Sequence, residues 1–200
     1  MADFVYLASQ SPRRRQLLEQ LGVCYELLLP DADEDAEALE IVLKNEAPAA
    51  YVKRVTGLKL DAALERLKRR KLRDAPILCS DTSVALSRTI FGKPVDADDA
   101  RRMLQALAGH THRVLTAIAL HSNMQRYAGL STSRVSFEAM TEEQINDYVA
   151  TGEPMGKAGS YAVQGRAALH IIRINGSYSG IMGLPLRETA LLLRSAGIKI

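Results

Sequence analysis

A carboxylate interrupts the apolar stretch Ile77-Leu78-Cys79-Ser80-Asp81-Thr82-Ser83-Val84-Ala85-Leu86. The run from Pro76 to Leu86 is strand-like, and a charge inside such a strand is costly unless it is paired or bound to a metal. Any fold of this chain has to supply a partner for that charge. Asp81 is therefore a candidate general base or metal ligand. The plainer reading is an aspartate at a strand end that caps a turn.

The rest of the pattern alternates strand and helix signals. Phe4 to Ala8 reads as a short buried strand, after which Ser11 suits an N-cap and Pro12 the first helical position. Leu17, Leu18 and Leu21 mark the apolar face of a helix ending near Gly22. Cys24 to Leu29 follows as a second strand, and Pro30 to Glu40 as an acidic loop. Helical spacing of Val52, Val55, Leu60, Ala63, Leu64 and Leu67 predicts a long helix from Pro48 to about Arg73, with Gly57 as a weak point. Ile90 to Pro94 reads as a turn or short strand, and Ala97 to Leu107 as an amphipathic helix closed by Gly109. Val114 to Leu120 and Ser131 to Phe137 read as neighbouring strands. Thr141-Glu142-Glu143-Gln144 is a capping box opening a helix that runs to about Ala150. Ala167 to Ile174 reads as a strand, Asn175-Gly176-Ser177 as a tight turn, and Leu184 to Ser195 as the last helix. This mixture places the chain in the α/β or α+β class.

Three further segments carry chemistry. Ser9-Gln10-Ser11-Pro12-Arg13-Arg14 lies between a strand and a helix start. Backbone N–H groups and the dipole make such an end an anion site, and Arg grips phosphate in a bidentate way. The alternative is an ordinary N-cap with its arginines in solvent. In Gly92-Lys93-Pro94 the proline restrains the backbone of Lys93, whose point charge suits phosphate. Between Lys157 and Gly165, small residues allow close approach of a ligand, and Gln164 offers the donors and acceptor that a base edge requires. Each of these has a plainer reading as a turn or a glycine-rich connection.

Composition excludes more than it suggests. Among 200 residues, 26 basic against 23 acidic side chains leave a net charge of +3, too mild to imply nucleic acid. No apolar run approaches the ~18 residues that span a bilayer, so no membrane partner is expected. No leader pattern precedes Leu7, so Cys24 and Cys79 read as reduced, buried thiols of a cytoplasmic protein. Lys68-Arg69-Arg70-Lys71 reads as a solvated helix face, and His110 and His112 have no ligand partners at zinc spacing.

Taken in order, these segments resemble the Maf family of nucleotide pyrophosphatases over nearly the whole chain. Leu7-Ala8-Ser9-Gln10-Ser11-Pro12-Arg13-Arg14 is similar to the family's opening signature, and Ser80-Asp81-Thr82 to its central aspartate motif. Glu34, Lys59, Gly92-Lys93-Pro94, Lys157 to Gly165, and Gly183-Leu184-Pro185-Leu186 match its other blocks. The resemblance implies an elongated Maf-like α/β fold, with a mixed sheet and helices, in which residues 1–200 form one domain of two lobes around a cleft. It implies a homodimer that hydrolyses a nucleoside triphosphate between the α and β phosphates with a divalent cation, Mg²⁺ or Mn²⁺. Asp81 would accept the proton and bind the metal, with Glu34 as a second acidic ligand. Ser9, Ser11, Arg13, Arg14, Lys59 and Lys93 would hold the substrate.

Arg13, Thr82 and Gln164 resemble the branch of the family that prefers dTTP and UTP; the branch that prefers 7-methyl-GTP carries Trp, Gln and Glu there. This chain departs from the usual pattern at Ser80, where Ala is usual, at Leu58 and Leu60, where Glu and Ala are usual, and at Gly156, where Asp is common. The alternatives are a broader house-cleaning pyrophosphatase for modified nucleotides and a cell-division regulatory protein. Stacking aromatics among the basic residues would favour the second, and Lys68 to Arg73 has none.

Overall fold

The structure is a computed structural model that describes residues 4–32, 34 and 38–200. The first half of the chain runs β1 (Val5–Leu7), α1 (Pro12–Gln20), β2 (Tyr25–Leu27), α2 (Pro48–Arg69), β3 (Ile77–Leu86) and β4 (Thr89–Phe91). The second half runs α3 (Ala97–Leu107), β5 (Thr111–Ser122), β6 (Gln125–Phe137), α4 (Glu142–Ala150), β7 (Ile171–Asn175), α5 (Tyr178–Met182) and α6 (Leu186–Ser195). Among the described residues, seven strands form one mixed sheet in the order β2-β1-β3-β5-β6-β7, with β4 attached to β3. β1 pairs in parallel with both β2 and β3, and the remaining pairs are antiparallel.

Alternation along β3 sorts the core into two faces. Ile77 and Cys79 point to α2, where they meet Leu60, Ala63 and Leu67. Ala85 continues that side against Tyr51, Val52 and Val55. On the other face Leu78 packs with Leu17 and Leu18 of α1 and Leu193 of α6, and Val84 with the α3 and α4 cluster. Asp81 lies in register with Cys79, so its side chain projects toward α2. The helix that buries this face must therefore also carry its counter-charge.

Several expectations change in detail. The long helix stops at Arg69, where the Arg70 amide closes the last turn on Arg66. Gly57 sits inside it without a break. Residues 166–170 are a 3-10 turn rather than strand, and extended pairing begins only at Ile171. Ser11 occupies the N-cap position, but its side chain makes no capping bond. Cys79 is buried as expected, whereas Cys24 is exposed, because β2 is the sheet edge and Cys24 just precedes it. The capping box holds: Thr141 accepts from the Gln144 amide, and the Gln144 side chain accepts from the Thr141 amide.

The basic end of α2 is mostly neutralised. Arg66, almost fully buried, donates to Glu34 and to the Leu28 carbonyl. Arg69 pairs with Glu34 and Asp31, and Arg70 with Asp31. Arg66 holds the Glu34 carboxyl down at about 2, against the opposing effect of burial and with help from Arg69. A carboxyl depressed in the folded state stabilises fully above its unfolded value of about 4.5, and the stabilisation is lost as pH falls toward the folded value. We expect Glu34→Gln to cost about 2 kcal/mol at pH 7, allowing for solvent screening. The gap to wild type should close between pH 4.5 and 2, as measured by urea unfolding across that range; a gap independent of pH would contradict this account.

Candidate functional site

The cleft originates in a divided strand edge. On one side β3 pairs with β5 along nine consecutive residues, Ile77 to Ala85. On the other it pairs with β1 only at Ile77 and Leu78, and with β4 only from Val84 onward. Among the described residues, Cys79 to Ser83 therefore have no strand on that side. The chain leaves β1 into Ser9–Ser11 and leaves β4 into Gly92–Lys93, and both segments line the opening with Asp81. Ligands of α/β sheets favour crevices at the carboxyl ends of strands where neighbouring connections diverge. The cleft measures about 680 Å³, within the range of small-molecule sites.

On the α2 wall, Lys59 lies on the buried face of the helix, one turn from Val55 and from Ala63. Its Nζ is 2.5 Å from Asp81 Oδ1 and 2.7 Å from Glu40 Oε1. Glu40 belongs to a 3-10 turn, Ala38–Glu40, fixed by the Tyr51 hydroxyl, which donates to the Glu40 carbonyl at 2.9 Å. Lys93 approaches the same carboxylate at 3.3 Å. Burial pushes the Glu40 carboxyl up, but Lys59 and Lys93 together more than offset this and leave it below its ordinary value. Two ammoniums and two carboxylates thus form one chain of alternating charge, which supplies the partner that Asp81 requires.

Arginines define the opposite wall. Arg14 donates from Nε to the Gly183 carbonyl at 2.9 Å, from one terminal nitrogen to Ser9 Oγ at 3.2 Å, and from the other to Thr82 Oγ1 at 3.4 Å. Among the described residues these bonds occupy three of its five N–H groups, which leaves two for a ligand. Ser80 Oγ also donates to the Gly183 carbonyl, at 2.8 Å. Gly183 ends α5 with φ +118°, and a Cβ there would come within 3.3 Å of Arg14 Nε. This junction therefore selects glycine. The buried Ser9 hydroxyl accepts from the Ser11 amide at 3.2 Å, so the turn into α1 is tied from outside the helix, and Ser11 itself does not cap the first-turn amides.

A recess opens beside Thr82 and Arg13. It is also lined by Val84, Tyr161, Val163 and Gln164. Arg13, Thr82 and Gln164 stand far apart in the sequence and line one concavity. Tyr161 is fixed from behind by His112 Nε2 at 2.8 Å and by edge-to-face contacts with Phe137 and His112. Burial pushes the His112 imidazole down to about 4, so it stands neutral at pH 7.

The structure brings Ser9, Ser11, Arg13, Arg14, Lys59, Asp81, Thr82 and Lys93 to the cleft. Glu34 borders it as well, but its carboxylate is taken by Arg66 and Arg69. Glu40 holds the place beside Asp81 instead. In the sequence Glu40 stands only as the end of an acidic loop; its one signal is its position a short step before Pro48, which opens the helix carrying Lys59. Among the described residues, no cluster of three or more His, Cys, Asp or Glu forms a metal cage, and no helix is long and apolar enough to cross a membrane.

A mixed sheet split at its central strand, with lysines bridging acids on one wall and arginines on the other, defines an α/β protein with a cation-lined cleft. The chain belongs to the Maf-like protein family, whose profile matches residues 4–196. A protein of Albidiferax ferrireducens named dTTP/UTP pyrophosphatase is 69% identical over 200 residues, covering all of both chains. Proteins of the same name from Polaromonas sp. and Cupriavidus pinatubonensis are 68% and 61% identical over 199 residues; each match spans 100% of this chain, and covers 98% and 100% of the two relatives respectively.

The Gly183 junction yields a test. Ser80→Ala removes one of two hydrogen bonds to that carbonyl and leaves Arg14 on it, so the expected cost is about 1 kcal/mol. Thermal and urea unfolding should register that loss without a change in the cooperativity of the transition.

Proposed function

We propose that this chain hydrolyses dTTP and UTP to the monophosphates with release of pyrophosphate. The observation that carries the reading is the convergence of Arg13, Thr82 and Gln164 on a recess that adjoins the cleft holding Asp81. Relatives at 61–69% identity bear the corresponding name. A pyrimidine such as uracil or thymine presents acceptors flanking a donor, which the amide of Gln164 complements; a carboxylate at that position would favour a donor-rich guanine edge. The neutralised end of α2 supports a nucleotide rather than a nucleic acid as partner.

In the resting cleft the lysine charges are balanced by Asp81 and Glu40. A triphosphate entering between the walls competes for Lys59 and Lys93 and meets the open N–H groups of Arg14 at the α1 end. Release of Lys59 from Asp81 frees an acceptor for the proton of the attacking water. Asp81 and Glu40 are hard oxygen donors on one side of the cleft, a set that suits Mg²⁺ or Mn²⁺ held jointly with substrate phosphates. When bound, the ion supplies neutralisation of the charge that develops on the phosphates. Glu34 supports the site indirectly, by fixing Arg66 beneath α2.

Asp81→Asn should lower kcat by about 10²- to 10⁴-fold while leaving the fold intact. Near-normal turnover by a well-folded variant would refute the assignment. Activity should vanish in excess chelator and return with Mg²⁺ or Mn²⁺, and full turnover under chelation would exclude the metal. The decisive comparison is kcat/KM for dTTP, UTP, CTP and 7-methyl-GTP with pyrophosphate detection, for wild type and Gln164→Glu. A ranking led by 7-methyl-GTP would overturn the substrate reading.

A further inference from the structure

Gln164 stands exposed at the rim of its recess, so its own burial does not fix where it points. What fixes it is the backbone of residues 162–166. That segment is held by a side chain from outside the recess. The Glu153 carboxylate follows α4 and accepts from the Arg166 amide at 3.0 Å through Oε2. Through Oε1 it accepts from the Tyr148 hydroxyl at 2.7 Å. The Tyr148 hydroxyl in turn accepts from the Ala162 amide at 3.3 Å. Glu153 and Tyr148 thus grip the loop on both sides of Gln164, at Ala162 and at Arg166. Glu153 is itself fixed, since its amide donates to Thr151 Oγ1 at 3.1 Å.

Gly165 gives an independent indication of how close this grip is. Its backbone is extended, with φ −106° and ψ −157°, a conformation open to any residue. Conformational freedom therefore does not explain the glycine. A Cβ placed on it would overlap the Glu153 carboxylate. A side chain after Gln164 would therefore require that carboxylate to move from its place against the loop.

The same carboxylate also acts on the recess. Burial pulls the Arg13 guanidinium down from its ordinary value, and Glu153 opposes that more strongly than Tyr148 does. Glu153 therefore influences two of the three polar groups of the recess, Gln164 through the backbone and Arg13 through space.

We infer that Glu153 is a positioning residue for base selection, holding the 162–166 loop so that Gln164 meets the base of the nucleotide at a fixed angle. The inference rests on the proposed dTTP/UTP activity for its substrate and on the hydrogen bonds above for its geometry. A hydrogen bond of this kind contributes modestly, so Glu153→Ala should raise KM for dTTP about five- to tenfold. The rise in KM should exceed the fall in kcat, and the preference for dTTP over CTP should shrink by a similar factor. Glu153→Gln keeps one acceptor oxygen and should fall between wild type and alanine. Gly165→Ala displaces the carboxylate without touching its charge and should reproduce the loss. The double variant Glu153→Ala/Gly165→Ala should be no worse than Glu153→Ala, because the added methyl then has nothing to displace.

Amide hydrogen exchange separates this inference from the activity on which it rests. Protection of the Arg166 and Ala162 amides should fall in Glu153→Ala and in Gly165→Ala, with no substrate present. Unchanged protection overturns the inference whatever the kinetics show. A wild type selective for dTTP whose Glu153→Ala variant keeps the full preference also overturns it. A wild type without any base preference overturns the substrate reading, and the base-selecting role falls with it, even where the exchange data show the loop to be held. Strictly additive effects of Glu153→Ala and Gly165→Ala would show that the two residues act separately and would likewise refute the mechanism.

Discussion

The ion pair between Lys59 and Asp81 allows a charged residue to sit in the middle of β3, and the two-sided core depends on that strand running unbroken. Without the ammonium the carboxylate would be desolvated with no compensation, which is among the more destabilising arrangements a fold can contain. Supplying the cation requires α2 to cross this face of the sheet with Lys59 over Asp81 and apolar residues before and after it. The helix is long for that reason: Tyr51 to Val55 cover the Leu115 end of the sheet, and Leu60 to Leu67 cover the Cys79 end. Gly57 is tolerated near the middle because packing of an apolar face, more than intrinsic propensity, sustains a helix of this kind.

The pair also connects stability with chemistry. Glu40 and Lys93 extend it into a chain in which every charge has a partner before any ligand arrives. The arginine wall is arranged differently. Arg14 is anchored to Gly183 and Ser9, so its guanidinium is oriented in advance and little freedom is left to lose on binding. One wall can thus exchange partners while the other stays fixed.

Much of this was legible in the sequence because the decisive signals are local. The apolar run around Asp81, the proline after Ser11 and the capping box at Thr141 each specify their own surroundings. The signals that failed were of two kinds. The stretch from Ala167 to Ile174 has strand-like composition throughout, yet Glu153 and the turn at Gly165 hold its first part in a 3-10 conformation. Cys24 has apolar neighbours, but exposure depends on which strand forms the sheet edge, and strand order is a long-range property that local pattern does not carry. Glu40 and Glu34 illustrate the same limit within the cleft. Both are acids of one loop, and only the positions of Lys59 and Arg66, two turns apart on α2, decide which of them stands beside Asp81.

The two cysteines differ in a way that has practical value. Burial pushes the Cys79 thiol up to about 12, and it lies behind the Asp81 wall with no access to solvent. Cys24 is exposed and lies at the far end of β1 and β2 from the Ser9 turn, with its carbonyl accepting from the Val5 amide. The thiolate is the reacting species, so an electrophilic dye distinguishes the two without mutagenesis. The native chain therefore carries a single addressable attachment point, on the opposite side of the first strand from the cleft, from which fluorescence or spin measurements could follow ligand entry without obstructing it.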